Sequence, residues 1–256
     1  PPPPPPPPRP RPPRAGGLAA VGGGARARGL RADRIRVGGG FAVDYAAADD
    51  WHGFLAEQRP EHYHAGKAFT AGDFYPYHSP LAGADVLRAV LATTPEGHSA
   101  SLARLLREAG VTLMLEPGRA LLDRAGATVF RVRGVKERDG YAVLTVDGSS
   151  LSLSEQWFNS EYLPDPVLLT ETGPARGPAV VAACVGGATC LESDMVTWRK
   201  VPLPARPREG DLLVYPNTAG YQMDSNESPF HDLPLPPKVV VDRTAGRPRW
   251  RLDRHA

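Results

Sequence analysis

Three consecutive glycines form the first group of residues whose type suits ligand binding. Gly38, Gly39 and Gly40 follow a short strand predicted for residues 33–37. Glycine has no side chain, so the backbone N–H groups of such a turn can approach an anion closely. A glycine run also serves as an ordinary turn, and this motif alone leaves both interpretations open.

A carboxylate and a guanidinium stand together in the second group, Glu-Pro-Gly-Arg. Glu116, Gly118 and Arg119 come directly after the apolar segment 111–115. A carboxylate facing a pyridine nitrogen would keep that nitrogen protonated, so that the ring could accept electrons. An arginine beside a glycine turn suits a phosphate or a carboxylate. A salt bridge that closes the end of a strand would need the same residue types.

The third group surrounds the second of the two cysteines. Cys190 is followed closely by Glu192 and Asp194, and Tyr221 lies in an Ala-Gly-Tyr motif farther along the chain. A lone cysteine is often a small buried residue. These positions therefore gain meaning only from their order and spacing along the whole chain.

Strands and helices alternate in the first half of the chain. A helix is predicted to begin at Asp49 or Asp50, because apolar residues recur there at helical spacing. Residues 58–82 read as an irregular loop. The next predicted elements are helices at about 83–92 and 99–109, the second capped by Ser99, and a strand over 111–115. This alternation is typical of a parallel sheet or barrel.

Antiparallel β structure is predicted after about residue 125. Segments 129–136 and 141–146 flank a turn at Asp139-Gly140, as in a hairpin. Further short strands are predicted over 180–185, 211–215 and 238–241. The predicted fold class is therefore α/β followed by all-β.

The four motifs together resemble one enzyme family. Gly-Gly-Gly-Phe, Glu-Pro-Gly-Arg, Gly-x-x-Cys-x-x-x-Asp and Ala-Gly-Tyr follow one another as in the pyridoxal-phosphate-dependent diaminopimelate, ornithine and arginine decarboxylases. The resemblance implies the last strands of an incomplete TIM-type barrel, alanine-racemase-like, joined to an antiparallel β-barrel domain. The resemblance implies the C-terminal portion of the cofactor-binding barrel (25–125) and the β domain (126–245), followed by a short tail (246–256). Composition predicts a disordered Pro/Gly-rich tail (1–24), with a proline-rich ligand for an SH3-like or WW-like groove as the alternative.

The resemblance assigns pyridoxal 5'-phosphate to the first two motifs. The three glycines are implied to hold the phosphate of the cofactor. Glu116 is implied to pair with the pyridine nitrogen. Gly118 and Arg119 are implied to help hold the phosphate, with a second role for Arg119 near the substrate carboxylate left open.

The resemblance also implies a homodimer with shared active sites and an amino-acid substrate. Cys190 would act as an acid in the site of the partner subunit, and Tyr221 would touch the phosphate or the substrate. Family members that bind a distal amine have an acid directly after this cysteine, where this chain has Leu191. A diamino substrate is therefore expected only if Glu192 or Asp194 supplies the missing carboxylate.

The lysine that carries the cofactor is expected on an early barrel strand, and none of the four lysines, Lys67, Lys136, Lys200 and Lys238, fits that position. The histidine expected to stack on the cofactor is also missing before His52. The resemblance therefore implies a truncated form that is inactive alone and prone to aggregation through open barrel edges. The alternative is a non-catalytic dimerisation or interaction module derived from the same family.

Composition excludes several other classes of protein. Residues 1–36 hold eight arginines and one acid, but prolines rather than aromatics separate them and the remainder is mildly acidic, so nucleic-acid binding is not expected. No apolar run approaches the ~20 residues needed to cross a bilayer. Two cysteines cannot form a disulfide framework, which favours the cytoplasm. His62 and His64 lack further ligands at useful spacing, so no metal site is expected.

Overall fold

The computed structural model describes residues 24–153, 161, 163–219, 232, 234–243 and 246–253. The predicted N-terminal tail, apart from Gly24, and Tyr221 lie outside the described residues. The α-helices are α1 (Ala48–Glu57), α2 (Gly83–Ala92) and α3 (Leu102–Glu108). The strands are β1 (Arg34–Arg36), β2 (Thr112–Met114), β3 (Ala127–Arg138), β4 (Tyr141–Val146), β5 (Val167–Thr170), β6 (Gly173–Pro174), β7 (Val181–Gly186), β8 (Met195–Leu203), β9 (Leu212–Pro216), β10 (Val239–Asp242) and β11 (Arg249–Leu252).

The described residues fall into two compact units. The first contains the residues up to Asp44 together with His78–Leu121. The second contains Tyr45–Tyr77 and the residues from Leu122 onward. The second unit is thus assembled from two separate stretches of the sequence.

A parallel pair of strands forms the centre of the first unit. Strands β1 and β2 pair in register, with Ile35 opposite Leu113, and within the described residues each has only the other as a neighbour. The buried hydrophobic side chains in the described part of this unit are Val43 and Leu102. The cap of α3 is Ser101, whose side chain accepts a hydrogen bond from the N–H of Arg104. The prediction of Ser99 as the cap was wrong by two residues.

A mixed sheet of seven strands lies in the second unit, which is called the sheet unit below. Its order is β6-β5-β9-β3-β4-β7-β8. The predicted hairpin of β3 and β4 is confirmed by their antiparallel pairing, and the inward residues of β3 alternate as the strand period requires, with Phe130 and Val132 buried. Strands β4 and β7 pair in parallel. The prediction of a wholly antiparallel sheet was therefore wrong for this pair, because the chain leaves β4 and crosses over before β7 instead of returning in a hairpin.

The segment Tyr45–Tyr77, here called the excursion, packs with this sheet. Its ends adjoin, since the N–H groups of Tyr45 and Ala46 both donate to the carbonyl of Tyr77, at 2.8 and 3.0 Å. Five of its aromatic side chains are buried in the core of the sheet unit: Trp51, Tyr63, Phe69, Phe74 and Tyr77. The sequence predicted an irregular loop over much of this segment, whereas the structure uses its aromatic side chains as core.

Helix α1 begins within the excursion, and its predicted cap was wrong. The cap residue is Ala47, with no side-chain hydrogen bond. Asp49 and Asp50 instead lie in the first turn, where negative charge is favoured by the helix dipole. The helix therefore gains from these acids electrostatically rather than by capping.

The last described strands form a separate hairpin. Strand β11 pairs antiparallel with β10, with Trp250 opposite Val241. The region 246–256 was expected to be a tail, and part of it is this strand. No helix of the described residues is long and apolar enough to span a membrane.

Candidate functional site

The glycine run and the Glu-Pro-Gly-Arg motif lie side by side in the first unit. The ladder of β1 and β2 continues past both strands, because Val37 N–H donates to Met114 O at 3.1 Å and Glu116 N–H donates to Gly38 O at 2.9 Å. Both motifs therefore leave the carboxyl ends of neighbouring parallel strands. This edge is where ligands bind in parallel barrels and sheets.

The backbone of the glycine turn accepts only glycine without strain. Gly38 and Gly40 have φ angles of 75° and 77°, which L-residues rarely adopt. A Cβ on Gly39 would lie 2.7 Å from the carbonyl oxygen of Glu116. A turn of this kind leaves its backbone N–H groups uncovered by side chains, so it fits a phosphate group.

An exposed ion pair lies beside this turn. The carboxylate of Glu116 lies 3.2 Å from Nη1 of Arg36, and both side chains are more than half exposed. Gly118 and Arg119 begin a short 3-10 helix, Gly118–Leu122, and Arg119 is half-buried. Sequence analysis did not single out Arg36, although its place two residues before the glycine run was the available signal.

A cavity of about 390 Å³ lies behind the glycine turn, between the strands and helix α2. Its lining is largely apolar and includes Val37, Val86, Leu87 and Leu113. Such walls offer little to a phosphate. Gly39 and Gly40 of the turn, together with Ser79 and Thr93, also line this cavity, so the glycine turn borders it.

Cys190 and its neighbours lie in the turn between β7 and β8, in the second unit. Cys190, Leu191 and Glu192 are exposed. Asp194 is only 3% exposed, and its carboxylate accepts three hydrogen bonds from within the protein. The two acids that sequence analysis grouped as substrate contacts thus lie in opposite environments.

The other cysteine has a structural place. Cys184 is fully buried, and its Sγ donates to the carbonyl of Trp198 at 3.2 Å. Burial, followed by the charge of Glu161, raises the pKa of the Cys184 thiol to about 12. A thiol this hard to ionise is a poor nucleophile, so Cys184 serves the core.

Two of the four lysines, Lys67 and Lys200, lie over aromatic rings. Nζ of Lys67 lies 5.0 Å from the ring centroid of Trp198. Nζ of Lys200 lies 4.4 Å from that of Tyr141 and donates to Glu61 O at 2.8 Å. These cation–π and backbone contacts account for both lysines structurally.

The two histidines considered for a metal site lie in the excursion. His64 Nδ1 lies 3.1 Å from the hydroxyl of Tyr141, and burial, together with the charges of Arg138 and Lys200, lowers its pKa. No group of three metal-ligating side chains occurs within the described residues.

A buried ion pair between Glu161 and Arg199 lies at the edge of the sheet. Sequence analysis missed this pair. The Glu161 side chain is fully buried, and its carboxylate accepts hydrogen bonds from the N–H groups of Trp198 at 2.7 Å and Arg199 at 3.3 Å. Nε of Arg199 lies 3.7 Å from the same carboxylate. Burial is the largest influence on Glu161 and raises its pKa to about 7, although Arg199 and both amides favour the charged form.

This pKa predicts a pH-dependent stability. The folded protein holds the proton of Glu161 more tightly than the unfolded chain, whose ordinary value is 4.5. The stabilisation is complete below that value and is lost as the pH rises through about 7. We expect the free energy of unfolding to fall by up to about 3 kcal/mol between roughly pH 5 and pH 8, measured by urea titration with tryptophan fluorescence.

Glu161→Gln should flatten this pH profile, because the amide cannot titrate. Glu137→Gln is the matched control, since that carboxylate is exposed and paired with Arg206 on the surface. A profile that keeps its slope in Glu161→Gln would assign the titration to another group.

The fold is that of the decarboxylase C-terminal sheet domain, with a mixed sheet. The family model described as pyridoxal-dependent decarboxylase, C-terminal sheet domain, matches residues 45–219, so that the match begins where the excursion begins. The chain belongs to this pyridoxal-dependent decarboxylase family, and the resemblance inferred from the motifs is confirmed.

Individual relatives agree with this assignment. Protein y4yA of Sinorhizobium fredii, described as uncharacterized, is 42% identical over 228 residues, which are 88% of this chain and 49% of that protein. A diaminopimelate decarboxylase of Actinosynnema pretiosum subsp. auranticum is 30% identical over 214 residues, covering 83% of this chain and 39% of its own length. The chain therefore spans half or less of the length of these curated relatives.

A solved structure shares the fold at low identity. Diaminopimelate decarboxylase from Helicobacter pylori, complexed with L-lysine, matches with a TM-score of 0.58 and 15% identity over 93% of this chain and 45% of that one. At this identity the similarity is one of fold alone.

Proposed function

We propose that this chain is the C-terminal part of a pyridoxal-phosphate-dependent amino-acid decarboxylase that is inactive alone. The observation that carries the proposal is the hydrogen bond from Glu116 N–H to Gly38 O. It holds an anion-binding turn and a carboxylate next to each other at the carboxyl ends of two parallel strands. The turn could bind the phosphate of one small cofactor while the carboxylate contacts its ring nitrogen.

The cofactor residues take the following roles in this proposal. Pyridoxal phosphate, when bound, supplies an aromatic ring that accepts the electrons released by decarboxylation. The N–H groups of Gly38, Gly39 and Gly40 bind the phosphate, together with Gly118 and Arg119. Glu116, which pairs with Arg36 in this structure, would hold a proton at the ring nitrogen.

Residues of the second unit would complete the site of a second copy in a homodimer. Cys190 is exposed in the turn between β7 and β8, where its thiol can donate a proton to the carbon that has lost carbon dioxide. Tyr221 would contact the phosphate or the substrate. Because Leu191 follows the cysteine, Glu192 is the exposed carboxylate that could meet a polar substrate side chain.

The first unit supports the view that it is the end of a TIM-type barrel. Strands β1 and β2 form a parallel pair without further strands among the described residues, and parallel sheets occur almost only with both faces covered. The second unit would be the distinct β domain of the same enzyme. Preceding barrel strands would supply the lysine that carries the cofactor, since Lys67 and Lys200 are engaged on aromatic rings.

The proposal predicts weak, non-covalent binding of pyridoxal phosphate that depends on the glycine turn. Gly40→Ala should lower the affinity roughly tenfold or more, because it disturbs amides that donate to an anion. Isothermal titration calorimetry with pyridoxal phosphate and with pyridoxal, which lacks the phosphate, measures this. The matched control is Gly97→Ala, since Gly97 has a φ of 78° and open space for a Cβ but lies outside both motifs.

Equal losses of affinity in Gly40→Ala and Gly97→Ala would assign the effect to backbone strain. Equal affinities for pyridoxal phosphate and pyridoxal would contradict a phosphate site.

Glu116→Gln is compared with Glu108→Gln, because both acids form exposed ion pairs of similar exposure. Borohydride reduction followed by mass spectrometry should attach no stoichiometric cofactor to any lysine. A stoichiometric adduct on one lysine would show that the chain carries its own cofactor lysine.

A further inference from the structure

The turn that carries Cys190 is tied to the interior by one buried carboxylate. Oδ1 of Asp194 accepts a hydrogen bond from the N–H of Ser150 at 2.7 Å. Oδ2 accepts from the N–H of Thr189 at 3.1 Å and from its hydroxyl at 2.7 Å. A carboxylate so engaged has little capacity left for a substrate.

The backbone of the turn is closed around the same residue. Gly187 N–H donates to the carbonyl of Asp194 at 2.7 Å, and Asp194 N–H donates to the carbonyl of Leu191 at 3.0 Å. The hydroxyl of Thr189 in turn accepts from Leu191 N–H at 3.3 Å. A Cβ on Gly187 would overlap the Asp194 carboxylate. The residues on both sides of Cys190 are thus fixed through Asp194.

A second anchor lies outside the turn. Ser150 begins a short 3-10 helix after β4, where Ser149, Ser150 and Ser152 are buried. Ala188 N–H donates to Gly148 O in the same region, at 2.8 Å. The Asp194 carboxylate therefore joins the Cys190 turn to the buried serine segment that follows β4.

We propose that Asp194 is a positioning residue, which sets the place of the Cys190 thiol and does not contact the substrate. This inference rests on the function proposed above for Cys190. An acid that must meet one carbon atom needs a fixed position, since a shift of about 1 Å can lower a rate on the order of a hundredfold. The buried carboxylate supplies that rigidity while Cys190 itself stays exposed.

Asp194→Asn tests the inference because it keeps the shape but replaces one acceptor oxygen with a donor. Hydrogen exchange should accelerate roughly tenfold or more at whichever of the Thr189 and Ser150 amides then faces the Asn NH2 group, and less at the other, which keeps a neutral acceptor oxygen. The pH–rate profile for alkylation of Cys190 by iodoacetamide should change as well. Cys184 is buried, and Cys190→Ser identifies the signal that belongs to Cys190.

The matched control is Asp211→Asn. Asp211 is also buried, accepts from the N–H of Arg208 at 2.8 Å and closes its own turn by donating its N–H to Arg208 O. Its variant should accelerate exchange at Arg208 and leave the alkylation profile of Cys190 unchanged. An equal effect of both variants on Cys190, or none from Asp194→Asn, would overturn the inference.

A second pair of variants serves if Asp194→Asn does not fold. Thr189→Val removes only the hydrogen bonds that the Thr189 hydroxyl makes. It should therefore change the pH–rate profile of Cys190 alkylation in the same direction as Asp194→Asn, but less. Thr189→Ser restores the hydroxyl and should restore the wild-type profile; failure of this rescue contradicts the inference. None of these measurements uses pyridoxal phosphate, so they stand apart from the cofactor titrations.

Discussion

Arg199→Met should lower the free energy of unfolding by about 3–5 kcal/mol at pH 8, the range for removing one partner of a buried ion pair. Glu161 would then have to carry its charge in the interior without this cation or take up a proton at pH 8, and either change costs free energy. Arg199 also donates through Nη2 to Leu163 O and to Asp165 Oδ1, both at 2.7 Å, so these contacts are lost as well. Urea unfolding followed by tryptophan fluorescence measures the change.

The loss should shrink at low pH, because Glu161 can then accept a proton. A double variant, Glu161→Gln with Arg199→Met, should regain part of the stability for the same reason. Arg206→Met is the control, since its ion pair with Glu137 is exposed and should contribute no more than about 1 kcal/mol. A loss that is the same at every pH would indicate that packing, not the unpaired charge, dominates.

Tyr63→Ala should destabilise the sheet unit by about 3–5 kcal/mol, as expected for removing a large aromatic side chain from a core. Tyr63 is fully buried, its ring lies 4.8 Å from that of Phe69, and its backbone forms a bridge with Arg199 in β8. The variant removes a buried ring from the core that the excursion shares with the sheet. Chemical denaturation again provides the measurement.

Tyr75→Ala is the matched control within the same excursion. Tyr75 is exposed, so its loss should change the free energy of unfolding by about 0.5 kcal/mol or less. Comparable losses in the two variants would mean that the excursion contributes through its backbone rather than through Tyr63.

Local sequence patterns predicted the elements in which apolar residues recur with a regular period. Helix α2 begins and ends at the predicted residues, because its apolar face is continuous. The hairpin of β3 and β4 was predicted correctly for the same reason. The glycine run and Glu116 could be chosen as candidates from their places after strands, whereas their adjacency depends on the parallel pairing of β1 with β2.

Strand β8 was missed because its sequence contains Arg199, Lys200 and Pro202, which read as a loop. Proline is tolerated in a strand at the edge of a sheet, and β8 is the last strand in the order. Nothing local distinguishes Glu161 or Asp194 from exposed acids. Their burial depends on partners that lie tens of residues away.

The two-part origin of the sheet unit constrains how the protein can fold as it is synthesised. Glu61 in the excursion meets Lys200 at a separation of 139 residues, so the aromatic side chains beside it leave the ribosome long before strands β8 and β9 exist. Contacts of such long range are slow to form. The aromatic segment of the nascent chain therefore lacks its partners until those strands are made. Chaperones would be needed most during this interval.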